Sequence, residues 1–141
     1  MNGGYEAEDA FGVEPVEETE AEYAREPVDQ GDEVDKVDKV AQLLERLDFA
    51  SPQEGEADTE TLLDDKDYFR VVRLLEKGNL SSGESNNLGC AYAWLAHTES
   101  NLSYWERSLD RLENSARSAK GAGERKRAKA NIDLVGEASE L

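Results

Sequence analysis

The chain has 141 residues, with 33 Asp and Glu against 16 Lys and Arg, a formal charge of −17, one cysteine and one histidine. That length suits a single domain, the lone cysteine excludes an internal disulfide, and one cysteine with one histidine cannot build a His and Cys metal cluster. The acidity is uneven, because residues 1–60 carry 20 acidic side chains against 4 basic and residues 61–141 carry 13 against 12, so the charge repels nucleic acid and anionic membranes and favours basic partners or plain solubility.

Residues 1–31 are rich in Glu, Asp, Gly and Pro, and their few apolar side chains, among them Tyr5, Phe11 and Tyr23, keep no period. So little apolar surface cannot offset the ordering entropy, and a disordered acidic tail is expected. No run of about 18 apolar residues occurs, and the N-terminus lacks the basic start and apolar core of a signal peptide. A soluble, cytoplasmic protein with no membrane contact is expected.

From Asp32 the pattern becomes helical: Val34, Val37, Val40, Ala41, Leu44 and Leu47 fall three and four apart on one stripe. Asp48 to Thr59 contains Ser-Pro and Gly and reads as a loop or hinge, so 32–58 forms a helix plus hinge ahead of a helical domain over 59–141. A second helix is expected from about Glu60 to Lys77, with Leu62, Leu63, Phe69, Val72 and Leu75 inward and Gly78 as its C-terminal cap. Asn79 to Gly83 turns the chain, and Ser81 or Ser82 caps a third helix over about 83–97 with Leu88, Ala91, Tyr92 and Leu95 on one face. A fourth helix, about 102–119, repeats the stripe as Leu102, Trp105, Leu109, Leu112 and Ala116. Gly121 to Gly123 breaks it, and a fifth, about 124–138, turns Ala128, Ile132, Val135 and Ala138 inward. No strand alternation competes, so the predicted class is all-α, a small bundle of antiparallel helices.

Within the third helix, a glycine at 89 costs about 1 kcal/mol relative to alanine, which suggests a packing or functional reason. Leu88, Gly89 and Tyr92 match the L-G-x-x-Y core of the tetratricopeptide repeat (TPR), and Trp105 stands 13 residues after Tyr92, where that family carries the aromatic of its second helix. Residues 82–115 therefore resemble one TPR hairpin, with Ser85, Asn101, Ser108 and Glu113 departing from the pattern. The resemblance implies that the paired helix, around Trp105, approaches closely at Gly89. It also implies a concave groove for an extended peptide, with Asn87 in the position that grips peptide backbone, Asn131 as its fainter echo, and Cys90 and Trp94 facing the same groove. An amide suits that role because it donates and accepts at once. Asn87 alternatively bonds within the helix start, and Trp94 is either a binding anchor or a second packing face.

One such hairpin cannot bury its own faces, so the flanking helices cover it or the chain oligomerises. Arg127 belongs to a basic run, 124–129, inside a stretch 106–129 with 8 basic and 4 acidic side chains. That run is either a solvated helix face or a seat for the acidic tail, whose reach is about 30 Å for 31 flexible residues. Cys90 and His97 lie two helical turns apart, roughly 10 Å, too far for a nucleophile and its base. The composite expectation is a non-catalytic adaptor, without cofactor or metal, that binds a protein or peptide partner. The alternatives are a structural or regulatory subunit completed by homo-oligomerisation or a larger assembly, and an acidic decoy or chaperone for a basic partner.

Overall fold

The computed structural model describes residues 36–141. The tail at 1–31, with Tyr5, Phe11 and Tyr23, and the start of the first predicted helix lie outside the described residues. Among the described residues the chain forms six helices and no strand: α1 (36–44), α2 (Thr59–Asp64), α3 (Tyr68–Leu75), α4 (Ser82–Thr98), α5 (Ser103–Ser118) and α6 (Ala122–Ser139). The all-α class is thus observed. The interactions described below lie within one unit, Lys39–Leu141.

α4 is the axis of that unit. Ser81 starts it with a reciprocal capping box, its hydroxyl accepting from the Glu84 N–H at 3.2 Å while the Glu84 carboxylate accepts from the Ser81 N–H at 3.1 Å. Twelve of its seventeen residues are buried, so neighbours cover it on nearly every side, as a helix with apolar residues all round requires. α5 packs along one side, α6 against α5 and α4, and α2 and α3 against α4. Leu44, Leu47, Leu63, Val71, Leu88, Tyr92, Leu112 and Val135 form one continuous apolar core.

The α4–α5 pair has a readable register. The Ser108 hydroxyl donates to the Gly89 carbonyl at 2.7 Å, and two turns along, the Ser115 hydroxyl donates to the Ser82 carbonyl at 2.6 Å. Equal steps of seven residues in opposite chain directions describe an antiparallel hairpin. A Cβ placed on Gly89 would stand 2.7 Å from Cγ of Leu112 and 3.0 Å from the Ser108 carbonyl oxygen, so the glycine does mark a close approach. The touching residues are Ser108 and Leu112, one to two turns beyond the predicted Trp105, which is half-buried at the edge of the core.

Two boundaries differ from the sequence-based expectation. The helix expected over 60–77 is two helices, interrupted at Lys66, whose φ of 64° lies in the left-handed region. The Asp67 N–H then donates to the Leu62 carbonyl at 2.8 Å, the six-to-one closure that ends many helices. The same device ends α4, with Ser100 at φ 52° and the Asn101 N–H donating to the Ala96 carbonyl at 3.1 Å. Because α3 restarts at Tyr68, its inward face is Tyr68, Val71 and Leu75, and Phe69 is turned out at 46% exposure. Gly78 caps no helix, since α3 ends at Leu75 with Glu76 after it. Leu102, expected inward, precedes the first turn of α5 and is 78% exposed.

Candidate functional site

The segment between α1 and α2 is not a free hinge throughout. Residues 48–50 form a strap laid across the start of α4, followed by an exposed loop over 51–58 in which Gly55 has φ 87°. Three asparagines hold the strap by its main chain. Asn87 accepts from the Ala50 N–H at 2.7 Å and donates to the Ala50 carbonyl at 2.8 Å, with a further bond to the Thr59 hydroxyl at 2.9 Å. Two residues earlier on the strap, Asn131 accepts from the Asp48 N–H at 2.9 Å and donates to the Asp48 carbonyl at 2.9 Å. Asn86 also donates to that carbonyl at 2.9 Å, and its own oxygen accepts from Asn131 at 2.8 Å.

Each gripped residue is therefore met at both its donor and its acceptor, which one primary amide can do and a carboxylate or ammonium cannot. The amides are no more than 2% exposed, where unpaired polar groups are expensive, so the set is held in register by the cost of leaving any member unpaired. Alternate residues are gripped, as an extended chain presents them. Ala50 is buried, and its Cβ would lie 3.1 Å from a Cβ on Gly83, so this end of the seat admits a small side chain. The exposed Asp48 side chain and the half-buried Phe49 side chain are left to other neighbours.

Of the residues singled out from the sequence, Asn87, Cys90 and Asn131 come together at this seat and are buried by it. The Cys90 sulfur lies 3.8 Å from the Asn131 amide nitrogen. Burial pushes the Cys90 thiol far above its ordinary value of 9.0, the negative charge of Asp48 pushes it further, and Arg127 offsets part of this. It stays a thiol at neutral pH and packs as a small apolar group. Arg127 is half-buried on α6, and its Nε has no hydrogen-bond partner among the described residues.

Trp94 lies two turns further along α4, half-buried and parallel to Tyr68 with ring centroids 5.7 Å apart. Burial raises the Tyr68 phenol above 10.0. The motif residues Leu88 and Tyr92 are in the core, and the Tyr92 hydroxyl donates to Glu76 at 2.5 Å. Burial first, and then that hydrogen bond and the Glu76 charge, push the Tyr92 phenol up to about 12, against the opposing pull of Arg107. Arg107 stands 5.9 Å over the Tyr92 ring and 5.7 Å over Tyr104.

Sequence reasoning missed Asn86, and it missed that the amides bind the chain itself. The signal was the pair Asn86-Asn87 on the buried side of a helix, since buried amides demand partners. Among the described residues no helix is long and apolar enough to cross a membrane. No protein-family model, curated protein or solved structure matches the chain.

Proposed function

We propose that the chain is a non-catalytic adaptor that recognises the extended main chain of a protein or peptide partner on a helical surface similar to that of a TPR hairpin. The observation that supports this reading is the amide set Asn86, Asn87 and Asn131, which takes main-chain donors and acceptors in pairs and so tolerates many side chains. In the resting protein the strap holds the seat. A partner enters by displacing residues 48–50, and every 1.4 kcal/mol of strap docking lowers its apparent affinity about tenfold.

The test uses the strap's own sequence as the probe. Ala50→Asp places a charge where Ala50 is buried against Gly83, which frees the strap while leaving the amides intact. A synthetic N-acetylated peptide of residues 47–54, which carries no basic side chain, should then bind this variant more tightly than the wild type, and adding Asn87→Ala should abolish the gain. Absence of binding to an Ala50→Asp chain whose circular dichroism matches the wild type would count against the reading, as would binding indifferent to Asn87.

A further inference from the structure

Beside the strap a cleft of about 380 Å³ opens between residues 44–49, α2, the start of α3 and α4. Its floor is apolar, since Leu44, Leu63 and Tyr68 are buried. Its walls carry two half-buried aromatic rings, Phe49 from the strap and Trp94 from α4. Around the mouth stand Glu45, Asp48, Glu60 and Asp64 against one ammonium, Lys66, a formal surplus of three negative charges. Glu60 accepts from Ser51 at 3.1 Å, whereas Glu45, Asp48 and Asp64 have no ion-pair partner among the described residues.

We infer that this cleft binds a basic side chain, lysine or arginine, carried by a partner protein that lies alongside the strap. The inference deepens the adaptor reading by naming the partner's chemistry. Aromatic rings attract a cation through their quadrupole, the apolar floor takes the methylene stem of a long basic side chain, and the carboxylates at the mouth meet its charge. A purely apolar guest would leave those four carboxylates without a role. A bare metal ion is a poor fit, because among the described residues no three His, Cys, Asp or Glu side chains are placed to hold one. Four other surface depressions, including the one lined by Arg125, Lys126 and Lys129 on α6, carry no aromatic side chain. Asp48 and Phe49 belong to both the strap and the cleft, so the cleft is complete only while the strap is docked, and a partner's basic side chain is taken by this docked form before its main chain displaces residues 48–50.

The chain's two tryptophans make the test internal, since Trp94 lines the cleft and Trp105 does not. The indole N–H signals of the full-length protein are followed by NMR at low salt while N-acetyl-lysine methylamide, its arginine counterpart, or the norleucine and glutamate analogues are added. The Trp94 signal should shift saturably with the lysine and arginine probes and stay still with norleucine and glutamate, while Trp105 does not move. Glu45→Gln combined with Asp64→Asn, both exposed positions, should weaken the lysine probe about five- to tenfold. Equal shifts with norleucine would overturn the inference in favour of an apolar groove. Shifts of both tryptophans together would reduce it to general attraction to an acidic chain, and no Trp94 shift at 50 mM lysine probe would end it. The strap-peptide experiment reads the amide seat and is indifferent to Glu45 and Asp64, so the two readings fail separately.

Discussion

Replacing Gly89 with alanine tests the tightest contact in the fold. In an open helix the change stabilises by about 1 kcal/mol, because alanine loses less backbone freedom. Here the new methyl would stand 2.7 and 2.9 Å from Leu112 Cγ and Cδ2, and 3.0 Å from the Ser108 carbonyl oxygen. Leu112 is fully buried, and the Ser108 carbonyl is helix backbone, so neither yields by swinging into solvent. Overpacking of this kind costs about 1 to 3 kcal/mol, and more where backbone must shift. Pushing the helices apart also lengthens the 2.7 Å bond from Ser108 to the Gly89 carbonyl. Set against the helix gain, a net loss of about 1 to 2 kcal/mol is expected, read as a lower urea midpoint by circular dichroism at unchanged slope. The decisive measurement is a double-mutant cycle with Leu112→Ala. That change alone costs about 2 to 5 kcal/mol, but it removes the obstructing carbons, so Gly89→Ala made in its background should stabilise. A stabilising Gly89→Ala in the wild-type background, or the same penalty with and without Leu112, would refute the close-approach account.

Gly136→Ala is the matching control, because a Cβ added there inside α6 meets nothing within 4 Å beyond the helix's own neighbouring backbone and the adjacent residues, and a gain of about 0.5 to 1 kcal/mol in urea unfolding is expected. Ser100→Gly should stabilise by up to about 1 kcal/mol in the same assay, since a serine now holds the left-handed position that ends α4. Asn87→Ala leaves the buried Ala50 N–H and carbonyl unpaired, so a loss of about 2 to 4 kcal/mol should accompany faster hydrogen exchange at Ala50. With Cys90 and Tyr92 both raised on folding, the folded chain keeps protons that the unfolded chain releases, and stability falls as pH rises. The decline should begin near pH 9 through Cys90 and deepen between pH 10 and about 12 through Tyr92. Comparing urea midpoints at pH 8 and 10, Cys90→Ala should show the smaller drop.

Much of the scaffold was legible in the sequence because its helices obey ordinary rules. The α6 stripe Ala128, Val135 and Ala138 is buried as its spacing predicts, Ser81 caps α4, and Gly89 marks a close approach. The break at Lys66 was hidden because the left-handed residue is a lysine, where the usual signal is glycine, and the apolar spacing runs on across it. Once the helix restarts the phase is reset, which is why Tyr68 and Val71 take the buried places expected for Phe69 and Val72. The amide seat was half legible. Asn87 and Asn131 stood out beside the motif, but their partners lie 37 and 83 residues earlier, and nothing local in the strap announces that its backbone is held. The cleft was less legible still, since Phe49, Tyr68 and Trp94 come from three separate segments.

The bond from the Asp48 N–H to Asn131 spans 83 residues, which gives the strap a place in folding order. The α4–α5 and α5–α6 hairpins close through short loops, whereas the strap must wait until sequence-distant asparagines are in position. During synthesis residues 48–50 emerge first, yet their full grip is available only after residue 131 has been made. The strap is thus a late clasp on a core assembled from the later helices, and any truncation that removes α6 takes half of the clasp with it.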